Sequence, residues 1–251
     1  MTRLAAVLGL TRPGLIALVG GGGKTTLLWA LAGELAAAGQ DVIATTTTHI
    51  HPPLAGQAAG LWLCGADTPS PDELAARLAG GGPLCLAAGR TSVGKLRGLA
   101  AGQMAGLLAR PGLWVVCEAD GAAGRPLKAW AAHEPALTGR EAMLIVVAGA
   151  AGLGRPLTVE TAHRPELLAA ALGLDIGQTP EPEALAAHLA GPAGPLRAAP
   201  AAARRALVLG QADLTAPALR QRFLAAAAAT GAFERVLWGS PLAGRLEPWR
   251  G

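Results

Sequence analysis

A chain of 251 residues with 51% hydrophobic content holds one large α/β domain or two small ones, and a single domain over 1–251 is the expectation. Its 21 Lys and Arg against 17 Asp and Glu leave a net charge of +4, with no run of cations gathered into a stripe, which argues against a nucleic-acid partner. Three widely spaced cysteines, Cys64, Cys85 and Cys117, each in an apolar run, argue against a disulfide framework or a metal cluster, and no uninterrupted stretch of about 18 apolar residues offers a membrane span; a cytoplasmic protein without a membrane partner is expected.

In chain order, short runs rich in Val, Ile and Leu alternate with Ala-rich helical stretches, the pattern of a mostly parallel sheet covered by helices. The strands fall at Leu15–Val19, Asp41–Thr45, Leu61–Cys64, Leu84–Ala87, Leu113–Cys117, Met143–Val147, Ala206–Leu209 and Arg235–Trp238. Helices are plainest at Thr25–Ala38, Pro71–Leu78, Arg164–Leu172, Glu183–Leu189 and Ala216–Ala229, with Gly and Pro at nearly every junction. The Pro- and Ala-rich stretch 178–203 reads either as a small helical insert or as a loosely ordered excursion.

The first strand runs into Gly20, Gly21, Gly22 and Gly23, then Lys24, Thr25 and Thr26, and then a helix. Glycines let backbone N–H groups converge on anionic oxygens, and the helix start adds its positive end. Lys24 is expected on the terminal phosphates and a hydroxyl of Thr25 or Thr26 on Mg2+. The nucleotide reads as ATP or GTP. With Leu18 where the longer phosphate loops carry a glycine, the spacing is the short G-x-x-G-K-T-T form, which resembles the loop of the Mur ligases. A dinucleotide reading fails because Thr25 occupies the third glycine position and the second strand ends in threonines rather than an acid.

That second strand ends in Thr45, Thr46, Thr47, Thr48, His49, Ile50 and His51, at the carboxyl edge where open α/β sheets bind ligands. Thr47, Thr48 and His49 are taken as substrate contacts, His49 ahead of His51, although four threonines are also ordinary β-branched strand residues. The strand at Leu113–Cys117 leads into Glu118 and Asp120, carboxylates on rigid support near the loop and fit to complete a Mg2+ shell or position water. Lys24, Asp120, Glu118 and His49 form the expected catalytic set. Arg125 and Lys128 are candidates to clamp an anionic substrate or the triphosphate, although either also reads as an ordinary surface cation. Near the end, Asp213 stands where a GTPase carries its base-reading Asp, but Gly210 and Gln211 replace the preceding Asn-Lys pair. A helix-capping role for Asp213 fits equally well.

The blocks VGGGGKTT, TTTTHIHPP, EADGAAGRPLKAW and GLGRPLTVETAHRPE, in this order, resemble the YqeC family, described as selenium-dependent hydroxylase accessory or selenium cofactor biosynthesis proteins. The resemblance runs from about Leu15 to Trp238. It implies a three-layer P-loop NTPase-like fold and a role in maturing selenium-containing molybdenum hydroxylases, with such an enzyme or its maturation proteins as partner. Lys95 and Gly98, and His163 to Glu166, resemble further family elements, and with that resemblance Lys95 is expected among the substrate contacts. Three readings stay open: a nucleotide-hydrolysing or phosphate-transferring enzyme, a nucleotide-gated delivery protein, and a small-molecule kinase or ligase.

Overall fold

A computed structural model describes residues 3–251. Eight parallel strands and one antiparallel edge strand form a single sheet. They are β1 (Leu15–Gly20), β2 (Val42–Thr46), β3 (Gly60–Leu63), β4 (Leu84–Ala87), β5 (Trp114–Glu118), β6 (Glu141–Gly149), β7 (Arg204–Gly210), β8 (Arg235–Ser240) and β9 (Arg245–Pro248). Their spatial order is β9-β8-β7-β6-β1-β5-β2-β4-β3, with only β9 antiparallel to its neighbour. β1 therefore lies centrally, between β5 and β6.

The alternation of side chains along β1 assigns the layers. Ile16 and Leu18 point to one face, where they join Leu4 and Leu8 of α1 (Arg3–Leu8) and Leu27, Leu28, Leu31 and Leu35 of α2 (Lys24–Ala37). Leu15, Ala17 and Val19 point to the other. Leu15 shares that side with Leu74 of α3 (Pro71–Leu78) and Met104 of α4 (Ala101–Leu108). Ala17 and Val19 pack with Leu168 of α5 (Pro165–Leu172), Leu185 of α6 (Pro182–Ala190) and Phe223 of α7 (Pro217–Ala229). The result is helix, sheet, helix, each face closed by apolar contact. No helix of the described residues is long and apolar enough to cross a membrane.

Local chemistry explains the helix starts. Ser70 and Glu73 form a reciprocal capping box ahead of α3, with Pro71 in its first turn. Proline also opens α5, α6 and α7, where a missing N–H costs no hydrogen bond. The stretch 178–203 is helical rather than loosely ordered. It holds α6 and a 3-10 turn at Pro195–Ala198, and Leu185, Ala186 and Leu189 are buried in the same cluster as Phe223. Arg197 fastens it further by donating to the carbonyl of Glu134 at 2.7 Å.

Candidate functional site

The sheet delivers three chain segments to one point. β1 ends at Gly20, β5 ends at Glu118 in register with Leu18, and β6 passes Val147 opposite Gly20. Between them the glycine loop is pinned from below. Gly21 N–H donates to Val147 O and Gly22 N–H to Arg125 O, each at 2.9 Å. Gly20 N–H donates to both carboxylate oxygens of Asp120, at 2.9 and 3.1 Å. A Cβ on Gly22 would fall inside contact distance of the Gly149 backbone, so no larger residue fits there without moving β6.

Gly23 differs. Its φ of +115° favours glycine, and a Cβ there would meet nothing within 4 Å because the residue faces open space. It caps α2 without any side-chain hydrogen bond. No side chain caps the amides of the first helical turn, and the helix dipole leaves a partial positive charge at that end.

Lys24, 4% exposed, curls back over the loop. Its Nζ donates to Gly20 O at 2.5 Å and lies 3.1 Å from Asp120 and 3.7 Å from Glu118. Thr25 Oγ1 donates to Glu118 Oε2 at 2.7 Å. Burial pushes the Glu118 carboxyl above its ordinary range, while Lys24 and Thr25 pull it back in part. The threonine hydroxyl and this carboxylate are the oxygen donors that suit Mg2+, which takes one or two protein ligands and fills its octahedron with phosphate oxygens and water. No group of three metal-ligating acidic, His or Cys side chains occurs among the described residues.

Asp120 is placed otherwise than expected. Its carboxylate is fully buried and accepts from Gly20 N–H and from Trp130 Nε1 at 2.6 Å, with Lys24 and Lys128 alongside. A carboxylate offers about four acceptor sites; here they are taken, so Asp120 anchors the loop and Glu118 alone meets the Thr25 hydroxyl. Lys128, expected on a substrate, is also under the loop. Its side chain is buried, donates to Gly121 O, and sits 3.1 Å from Glu134 and 3.4 Å from Asp120. Burial lowers its affinity for a proton; Asp120 and Glu134 oppose that. Glu134 pairs in turn with Arg164. Trp130, Glu134 and Arg164 were not identified by sequence reasoning as parts of this assembly, although two of them lie in the blocks EADGAAGRPLKAW and TAHRPE.

The carboxyl edge of β2 carries an open cleft of about 450 Å3, walled by Lys24, Thr25, Glu118, His49, His51 and Lys95, with the turn 121–124. His49 reaches it on the short strand His49–Ile50, paired with Leu96–Arg97; Lys95 immediately precedes that partner strand. The threonines below do structural work. Thr45 Oγ1 donates to Leu86 O at 2.7 Å and Thr46 Oγ1 to Glu118 O at 2.7 Å. Thr47 Oγ1 donates to Ala136 O at 2.8 Å. Thr48 O accepts from Gly98 N–H at 2.7 Å. Thr47 and Thr48, expected on a substrate, do not wall the cleft: the Thr47 hydroxyl ties the strand end to Ala136, Thr48 does so to Gly98 through its carbonyl, and the Thr48 hydroxyl lies 3.3 Å from that of Thr46. Arg125 lends its carbonyl to the loop. Asp213 lies exposed in the turn Ala212–Leu214, beyond β7 and outside this cleft. Cys85 and Cys117 are buried free thiols, and burial pushes Cys85 up to about 12.

Fold and site together define a three-layer α/β protein with a mostly parallel sheet and a glycine-rich strand–loop–helix at its centre. Residues 16–166 match the family model described as YqeC protein, and the chain belongs to that family. All four sequence blocks fall in this range. The chain is 37% identical over 127 residues to the "Uncharacterized protein YqeC" of Escherichia coli strain K12, a match covering 50% of this chain and 48% of that protein. The chain thus spans about half the length of the curated relative it matches. No solved structure matches.

Proposed function

We propose that this chain binds a Mg2+–nucleoside triphosphate at residues 20–26 and hydrolyses it, or transfers its terminal phosphoryl group to an anionic second substrate in the adjoining cleft. The observation that carries this is the Thr25–Glu118 contact of 2.7 Å beside Lys24, at an uncapped helix start that opens into the cleft. Lys24 would exchange Gly20 O for phosphate oxygens, Thr25 and Glu118 would hold Mg2+, and the metal would neutralise charge on the transferring group. His49 and Lys95, which wall the same cleft, would receive an anion beyond the terminal phosphate. A place in the maturation of selenium-dependent molybdenum hydroxylases, with such an enzyme or its maturation proteins as partner, is supported by the family blocks alone.

A second reading, a nucleotide-gated delivery protein, has its own support. Lys24, Asp120, Lys128, Glu134 and Arg164 form an unbroken chain of ion pairs from the loop to the start of α5. A phosphate that draws Lys24 away alters the first link of that chain, and switches of this kind work by such local charge changes. Turnover assays separate the two readings. An enzyme with its own second substrate consumes nucleotide in proportion to a modified small molecule; a delivery protein hydrolyses slowly until a partner protein accelerates it.

A further inference from the structure

A second cleft, of about 520 Å3, is also walled by Thr25, within the range of about 300–1,000 Å3 usual for small-ligand sites. It shares Thr25 and His51 with the first, so the two meet at the loop. Its floor is one stripe of α2, Thr26, Ala30 and Gly33 at helical spacing; a Cβ on Gly33 would meet nothing within 4 Å, so this stripe forms an open ledge. The rims are apolar and wet: Leu54 is 72% exposed on one segment, Leu242 86% on the other, next to Pro241. Single exposed leucines are ordinary, but two on one concave site mark apolar area that a ligand can cover.

The polar complement is equally specific. Gln57 Oε1 accepts from Leu54 N–H at 2.8 Å, which orients the side chain and leaves its NH2 group as the donor. Among the described residues lining this cleft there is no Asp or Glu. A flat purine ring fits such a site, and adenine N1, an acceptor, suits the Gln57 NH2 donor where guanine carries N1–H, a second donor. Guanine, which needs an acceptor for its N1–H and N2–H, finds none of the carboxylate kind.

We propose that this second cleft holds the nucleoside of the triphosphate, with the base between the Leu54 and Leu242 rims and its edge on the Gln57 amide, and that it selects adenine over guanine. The inference rests on the triphosphate reading of the loop and commits the nucleotide to ATP.

Calorimetric titration of the full chain in Mg2+ tests it with three probes: tripolyphosphate, and the non-hydrolysable imido analogues of ATP and GTP. The expected result is ATP analogue binding at least tenfold tighter than either of the others. Leu242→Asp, at a position too exposed to unfold the chain, should weaken the ATP analogue at least tenfold and leave tripolyphosphate unchanged. Gln57→Glu keeps the acceptor for Leu54 N–H and replaces the donor by an acceptor, so it should move the preference toward guanine. ATP analogue and tripolyphosphate binding equally well, or Leu242→Asp without effect on the ATP analogue, would overturn the cleft assignment while leaving the loop reading intact. A guanine preference in the parent chain would overturn it in favour of the Asp213 side. Binding of none of the three probes overturns the loop reading itself.

Discussion

Two acids two residues apart do different work because their surroundings differ. Glu118 faces Thr25 at the cleft wall, whereas Asp120 lies beneath the loop between two lysines and an indole. Glu118→Gln should therefore weaken Mg2+-supported nucleotide binding by an order of magnitude with little change in the urea midpoint, since burial already disfavours the Glu118 charge. Asp120→Asn leaves two buried lysines short of their counter-charge and should cost about 3–5 kcal/mol of stability, the usual penalty for breaking a buried ion pair from one side. Urea denaturation and Mg2+ titration of both variants check this; the reverse ranking would exchange the two roles. That one strand delivers both acids to the neighbourhood of the loop is carried by the sequence. What it does not carry is which acid the loop folds over, because Gly20 N–H, Trp130 and Lys128 meet Asp120 only through tertiary contact.

Elements were legible where one local rule dominates. The eight parallel strands read directly as apolar runs, and α3 matches its expected span because Ser70, Pro71 and Glu73 mark its start. α1 was not expected. It depends on Glu34 of α2, which accepts from Leu4 N–H at 2.6 Å and Ala5 N–H at 3.2 Å across thirty residues. α4 has glycines at 102 and 106, weak helix formers, and is held by burial of Met104 and Leu107. α6 matches the helix expected at Glu183–Leu189; what the Pro- and Ala-rich stretch around it left open was its order, and its apolar side is core. Leu185→Ala should thus cost about 2–5 kcal/mol, as for other buried leucines, measured by urea denaturation. A loss under 0.5 kcal/mol, the scale of surface changes, would mean that α6 is peripheral to the domain.

At the scale of the molecule, the loop and the far helical layer share one chain of charges, buried as far as Glu134 and half-buried at Arg164. Burial raises the Glu134 carboxyl, but Arg164 and Lys128 outweigh it, so its folded pKa lies below the ordinary 4.5. A carboxylate lowered on folding contributes stability that is fully present above its unfolded value and is lost as pH falls through the folded one. The urea midpoint of the parent chain should therefore fall below about pH 4.5 more steeply than that of Glu134→Gln, and the two should converge in acid; parallel curves would remove Glu134 from the linkage. The whole account turns on Lys24, one of three lysines in the chain, whose ammonium lies between the loop and both acids. Calorimetric titration of Lys24→Ala with Mg2+ and non-hydrolysable ATP, alongside the parent chain and with folding checked by circular dichroism, tests it most directly. Tight binding to the parent and none measurable to the folded variant are expected; unchanged affinity in the variant would overturn the triphosphate reading of the loop.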